Sequence, residues 1–264
     1  MAITSMLRRV RCASAVALLL AAPTAAAAQT EFHIQYGSLD NPFSGQAEQT
    51  VILTFQHALS WSLGDSFFFT DFIDDVSVDG FNDRDFYGEW YPTLSLGKLA
   101  NRKVGAGPLR DIAIIGGINF DGDVDFFKYL PGVRAAWDVP GFYFLNTDVT
   151  AFIDANTGLE KGGGAPKTGN SWMFDVNWGS AINAGNQTFV FTGHAEYIGG
   201  TTDELGGEVK AWVLAQPQFM WDVGKAVAGK ANQIFLGIEY QYWLNKLGTD
   251  LDENAAQLLI VWRL

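Results

Sequence analysis

Residues 51–63 read VILTFQHALSWSL, and apolar side chains occupy every second position of this stretch. The odd-numbered positions carry Val, Leu, Phe, His, Leu, Trp and Leu, whereas most even-numbered positions carry small or polar side chains. Successive side chains of a β-strand point to opposite faces, so the stretch predicts a strand with one apolar and one polar face. It is long enough to cross a bilayer as a tilted strand, which needs roughly 10 residues, whereas soluble strands average about 5–6 residues.

The same alternation recurs along most of the chain, in segments of similar length. The apolar phase of these segments carries no Asp, Glu, Lys or Arg, whereas the opposite phase carries many. A soluble sandwich would also alternate, but with shorter strands. The segments therefore predict an all-β fold, a transmembrane antiparallel β-barrel of about 12 strands, an even number as in single-chain bacterial barrels. They begin near Thr30, Gln49, Ser66, Asp85, Leu109, Asp125, Gly141, Asn170, Asn186, Glu208, Asn232 and Asn254.

The connections between the segments fall into two groups. Longer connections at 155–169 and 199–207 are predicted at the end opposite the N-terminus, as the loops of outer-membrane barrels are. A further long connection at 223–231 lies at the N-terminal end, where it is a candidate for a short helix. Tight turns rich in Gly, Pro and Asp are predicted at that same end, at 64–65, 140–141 and 184–185.

The N-terminus has the features of a secretory signal. Three arginines between residues 8 and 11 precede an apolar run at 13–22 and a small-residue stretch at 25–28. A membrane anchor is the alternative, but it needs roughly 20 apolar residues, more than this run contains. We therefore predict a signal peptide at 1–28, cleaved after Ala28, and an outer-membrane barrel at 29–264. The single cysteine, Cys12, lies inside the signal, so we expect no disulfide in the mature chain.

The charge of the chain bears on its partners. The formal net charge is -12, from 17 basic and 29 acidic residues. A partner such as DNA or RNA requires the opposite sign, so we expect no nucleic-acid partner.

The polar phase of the segments predicts the composition of the barrel lumen. Eight-stranded barrels are filled by side chains and barrels of 16–18 strands hold a wide channel, so twelve strands predict a narrow passage. Flat rings stack on planar ligands and carboxylates accept hydrogen bonds, a combination that would suit a nucleoside or a sugar. The alternative is that these side chains plug the barrel. Candidate channel-lining residues for a substrate are Phe67, Phe68, Phe69, Phe72, Asp74, Tyr87, Glu89, Tyr91, Asp111, Asp175, Glu196, Trp212, Glu239 and Trp243.

Catalysis and metal binding have weaker support. His33 and His57 are predicted near or on the apolar side, whereas His194 is luminal by phase and lies two residues from Glu196. The chain has no Gly-x-Ser-x-Gly motif and no spacing of His, Cys and Asp that is typical of a metal site. We therefore expect no enzyme, no catalytic residue, no metal and no cofactor. A luminal polar pair is the simpler interpretation of His194 and Glu196.

Four segments together resemble one protein family. Residues 89–99, EWYPTLSLGKL, resemble the Glu-x-x-Pro-x-x-Ser-x-x-Lys-Leu segment of the Tsx-like nucleoside-specific channel-forming outer membrane porins, which include the OmpK-type porins. Residues 67–74 resemble their aromatic-rich strand. Residues 193–200, GHAEYIGG, resemble their Gly-x-x-x-Tyr-Ile-Gly segment, and residues 240–243 resemble their penultimate strand.

The resemblance implies a function that the alternation alone does not. It implies a monomeric channel in the outer membrane of a Gram-negative bacterium, surrounded by lipid and lipopolysaccharide, through which nucleosides or similar small solutes pass. It also implies that the aromatic strand lines the solute path. Two alternatives stay open: an outer-membrane hydrolase, and a surface-recognition barrel that serves phages or cells as a receptor without specific transport.

Overall fold

The structure, a computed structural model, describes residues 27–264 and is a closed antiparallel barrel of twelve strands. The first strand pairs with both the second and the last, which closes the sheet. Strands β12 (Trp212–Ala215) and β13 (Gln218–Asp222) lie in line between the same two neighbours and together form the tenth strand of the wall. The strands of the wall are β1 (Ala27–Asp40), β2 (Ala47–Ser60), β3 (Gly64–Asp75), β4 (Asp85–Ser95), β5 (Leu109–Asp121), β6 (Phe127–Trp137), β7 (Phe142–Asp154), β8 (Ser171–Ala184), β9 (Gln187–Ile198), β12 (Trp212–Ala215), β13 (Gln218–Asp222), β14 (Ile234–Leu244) and β15 (Glu253–Arg263).

The predicted fold class and strand number are confirmed. The tenth segment, predicted from Glu208, begins instead at Trp212, because residues 208–209 form a small hairpin, β10 (Thr201–Thr202) with β11 (Glu208–Val209), inside a loop. The predicted signal peptide lies outside the described residues except for Ala27 and Ala28, which form the start of β1. Cleavage after Ala28 stays a prediction.

The outer wall of the barrel is apolar and the inner wall is largely polar. Along β5, Ile114 is 53% exposed, whereas its neighbours Ala113 and Ile115 are only 6% and 1% exposed. Several charged side chains, in contrast, are buried inside; Glu31 is 4% exposed and Lys128 is 2% exposed. This inverted distribution is the one that a barrel surrounded by lipid requires, since the lipid-facing wall must be apolar.

Three prolines, Pro92, Pro131 and Pro217, lie along the wall of the barrel, on its outer face. Pro131 is exposed, and β5 pairs with β6 in continuous register across it. Pro217 separates β12 from β13, yet both parts keep the same register against β9. A proline removes one hydrogen bond from the ladder but here inserts no extra residue, so the alternation continues past it.

The two ends of the barrel differ in their connections. The end at which β1 begins and β15 ends, which we call the terminal end, has short turns at 61–63, 138–141 and 185–186. It also carries two short helices, α1 (Leu96–Ala100) and α2 (Val223–Ala228), and the second confirms the predicted helix. In the described part of the chain, neither helix nor any other has the length and apolarity to cross a membrane. The opposite end, the loop end, has connections at 41–46, 76–84, 122–126, 155–170, 199–211 and 245–252.

An apolar cluster lies inside the barrel, mostly toward the loop end. This cluster of inward-facing residues, which we call the luminal plug, comes from six neighbouring strands, β4 to β9. Gly117 on β5 makes room for it, because a Cβ there would lie 2.7 Å from Cδ1 of Tyr91. The buried residues of the luminal plug are Tyr91, Ile115, Leu130, Phe152, Met173 and Ile198.

Candidate functional site: the luminal cavity

A cavity of about 960 Å³ occupies the lumen on the side of the terminal end. Its outermost lining residues include Arg102 and Lys103, which are exposed in the connection after α1. Its innermost lining residues include Asp71 and Glu239, near the middle of their strands. Beyond them lies the luminal plug, so the cavity is a vestibule entered from the terminal end.

The alternation of β3 decides which phenylalanines face this cavity. Phe67 and Phe69 point inward and line it, with ring centroids 6.1 Å apart. In the pairing with β4, Phe67 lies opposite Tyr91 and Phe69 lies opposite Glu89. Aromatic rings and a carboxylate therefore alternate on one patch of the inner wall.

Three of the predicted lining residues face the other way, and for them the prediction is wrong. Phe68 lies on the outer wall, where its ring is 6.2 Å from that of Phe55. Phe72 is 53% exposed, and its ring lies 5.1 Å from the ring of Phe86 on the same wall. Asp74 continues this outward phase near the end of β3 and is exposed. Because consecutive side chains of a strand alternate, the Phe67–Phe69 run cannot all face inward.

Glu89 is the centre of a buried hydrogen-bond network beside the aromatic patch. The Tyr87 hydroxyl donates to its Oε1 at 2.5 Å, and Asn119 Nδ2 donates to the same oxygen at 2.9 Å. The Tyr91 hydroxyl donates in turn to Asn119 Oδ1 at 2.9 Å. Each member thus has its position set by another, which makes this wall rigid.

A second polar cluster combines residues of β8 and β9. Asp175 and Glu196 lie directly opposite one another, and His194 is two residues along on the same inner face. His194 Nδ1 is 3.2 Å from Asp175 Oδ1, and its Nε2 is 2.9 Å from Gln216 Oε1. The spacing of these three residues in the sequence does not indicate that they meet. The two-residue turn at 185–186 is the signal that could have indicated it, because such a turn sets the register of the hairpin.

Ion pairs line the outer part of the cavity. Arg134 donates to both oxygens of Asp148, at 2.8 and 2.6 Å. Arg263 donates to Glu31 Oε1 at 2.5 Å, and His33 Nε2 lies 3.0 Å from the other oxygen of Glu31. The prediction that His33 lies near the apolar side is therefore wrong, because Phe32 and Ile34 take the outer positions of β1.

The remaining predicted lining residues have other surroundings. Asp111 lines the rim of the cavity and accepts a hydrogen bond from the backbone N–H of Gly97 at 2.8 Å, which anchors α1. Trp212 packs against the luminal plug, with its ring 6.1 Å from that of Phe152. Trp243 lies inside near the loop end, where it is 9% exposed.

A buried lysine lies at the loop end near Trp243. Lys246 Nζ donates to Glu253 Oε2 at 2.8 Å and to the backbone oxygen of Asp40 at 2.6 Å. Burial lowers the pKa of Lys246 below its usual value, and the charge of Glu253 opposes this shift. The group therefore ties the loop after β14 to the end of β1.

Comparison with solved structures supports the fold. A NanC porin structure is similar with a TM-score of 0.52 and 14% identity, over 90% of this chain and 100% of that chain. CdiB from Acinetobacter baumannii matches at a TM-score of 0.38 and 8% identity, over 90% of this chain and 60% of that one. Salmonella typhi OmpF with daunomycin matches at 0.24 and 8%, over 90% and 96%.

These likenesses reach as far as the architecture. At 14% identity, the first shows that the chain shares the fold of a porin-like β-barrel. The TM-scores of the other two are too low to carry a conclusion. No protein-family model matches the sequence. No curated protein matches it significantly.

Proposed function

We propose that the protein is a channel in the outer membrane of a Gram-negative bacterium that admits small polar solutes, with nucleosides as its preferred class. The observation that carries the proposal is the inverted barrel itself, whose apolar wall faces outward around a polar cavity of about 960 Å³. Ligand pockets commonly measure about 300–1,000 Å³, so the cavity is large enough for one small solute.

The aromatic patch supports the choice of nucleosides. Phe67 and Phe69 offer ring faces to the cavity, and Asp71 and Glu89 offer carboxylate oxygens beside them. A nucleobase stacks on an aromatic ring, while ribose hydroxyls donate to carboxylates. The four residues lie on two adjacent strands, so one bound molecule can contact both kinds of group.

The luminal plug limits how fast solutes can pass. Its residues are almost completely buried; Ile115, for example, is 1% exposed and Leu130 is 0% exposed. A solute that enters the vestibule must displace part of this cluster to reach the loop end. We therefore propose a low-conductance channel that acts as a monomer, in contact with lipid and lipopolysaccharide on its outer wall, and not an open pore.

Conductance measurements test this function. The purified barrel is inserted into planar bilayers, and single-channel current is recorded while adenosine or thymidine is titrated, with sucrose as a control solute. We expect small unitary currents that nucleosides block and sucrose does not. Currents insensitive to nucleosides would refute the specificity, and the absence of any current would refute the channel.

The proposal includes no catalytic step. His194 bonds to Asp175 and Gln216, and within residues 27–264 no serine or threonine hydroxyl bonds to it. A nucleophile needs an adjacent base for activation. Phospholipid hydrolysis by the purified protein that disappears in His194→Ala would contradict this part of the proposal and favour a hydrolase.

A further inference from the structure

We propose that Asp175, His194 and Glu196 bind a divalent cation of the zinc type inside the lumen. One ligand atom from each of the three residues lies within 4.8 Å of the other two. Imidazole nitrogen combined with carboxylate oxygen is a ligand set that suits Zn²⁺, whereas Ca²⁺ prefers 6–8 oxygens. This inference goes beyond passage of a solute and does not depend on it.

The distances already approach those of a coordinated ion. Ligand atoms of a tetrahedral zinc site lie about 3.3 Å apart, given bond lengths of about 2.0 Å. Asp175 Oδ1 and His194 Nδ1 are 3.2 Å apart. Since all three ligand atoms lie within 4.8 Å of one another, Glu196 has to approach by no more than about 1.5 Å to reach that spacing.

The unsatisfied carboxylate of Glu196 is the second observation. Glu196 is only 8% exposed and faces the cavity. Within residues 27–264 no side chain or backbone group donates a hydrogen bond to it. A carboxylate that is largely buried and has no donor from the protein is stabilised by a cation that binds from the cavity.

The hydrogen bonds of Gln216 determine which nitrogen of His194 faces the site. Gln216 Nε2 points to Glu239 Oε1 at 3.3 Å and to Gln241 Oε1 at 3.1 Å, both of which are acceptors. Gln216 Oε1 is therefore the atom that accepts from His194 Nε2–H at 2.9 Å. His194 Nδ1 faces Asp175, and the space between them takes a proton or a metal ion. A partner that fixes the second ring nitrogen is usual for a metal-ligating histidine.

The charge of the surrounding wall favours the cation. Arg134 and Arg263 line the cavity but pair with other carboxylates, Arg134 with Asp148 and Arg263 with Glu31. Within the described part of the chain, no lysine or arginine forms an ion pair with the carboxylates at the inner end of the cavity. These carboxylates are Asp71, Glu89, Asp175, Glu196 and Glu239.

Calorimetry with the metal alone tests the site. The full-length barrel is solubilised in detergent, stripped with a chelator and titrated with ZnCl₂. We expect one Zn²⁺ per chain. Glu196→Gln and His194→Gln should each abolish this binding, and Gln216→Ala should weaken it about 10–100-fold, as loss of an outer partner does. Co²⁺ should give visible absorption bands that His194→Gln removes.

Two luminal variants serve as matched controls. Asp71→Asn removes the same charge from the same cavity, and His33→Gln removes a histidine that lines it. Both should still bind one Zn²⁺ per chain, and Asp71→Asn, which removes only a charge beside the site, should lose far less affinity than Glu196→Gln. The proposal is overturned if the unaltered protein binds no Zn²⁺, or if the controls lose as much affinity as Glu196→Gln. A heat-dependent shift in gel mobility verifies that each variant is a folded barrel. Because binding is measured without any current, its failure is distinct from failure of the channel.

Discussion

Replacing Phe69 by alanine should weaken nucleoside block of the channel while leaving the barrel folded. The Phe69 ring lines the cavity 6.1 Å from the Phe67 ring and lies opposite Glu89 on the next strand. An aromatic stacking contact contributes about 0.5–1.5 kcal/mol beyond the area it buries. Since about 1.4 kcal/mol corresponds to a factor of ten, the half-blocking concentration should rise about 2- to 12-fold.

The alternation of β3 provides the control for this experiment. Phe68→Ala removes the same ring from the outer wall, where it contacts Phe55 and no luminal group. Half-blocking concentrations of adenosine are read from single-channel currents of both variants and the unaltered barrel. The reasoning is refuted if nucleosides block Phe69→Ala as strongly as the unaltered protein, or if Phe68→Ala weakens nucleoside block to the same extent.

Three further outcomes follow from the packing. Gly117→Ala should lower the free energy of unfolding by about 1–3 kcal/mol in urea titrations, because its Cβ would lie 2.7 Å from Tyr91 Cδ1. Gly116→Ala is the control, since a Cβ there would meet no atom within 4 Å, and it should leave the free energy of unfolding unchanged. Equal losses in the two variants would contradict this reasoning. Phe152→Ala should raise single-channel conductance by opening the luminal plug, and an unchanged current would place the constriction elsewhere. Ile114→Arg, on the middle of the outer wall, should cost about 2–4 kcal/mol of folding free energy in lipid vesicles, and a neutral effect would argue against a lipid-facing wall.

Asp175, His194 and Glu196 come together only through the register of the β8–β9 hairpin, which the alternation within each strand does not give. Asp175 and Glu196 were both predicted on the inner face from alternation, but their separation along the chain concealed their contact. His194 Nδ1 meets Asp175 across nineteen positions of sequence, as set by the pairing of β8 with β9. No spacing motif describes such a group, because its members come from different strands.

The period of two along the chain was sufficient to predict an all-β barrel, its strand number and the outward phase of residues such as Ile114. That signal is local, since each strand must present one face to lipid and the other to the lumen. It could not decide which of Phe67 to Phe69 face the lumen, because aromatic side chains occur on both faces there. Only the closed barrel placed Phe69 in the cavity, and only strand pairing joined His194 to Asp175. Closure and register depend on contacts between segments far apart in sequence, and the period within one strand carries no information about them.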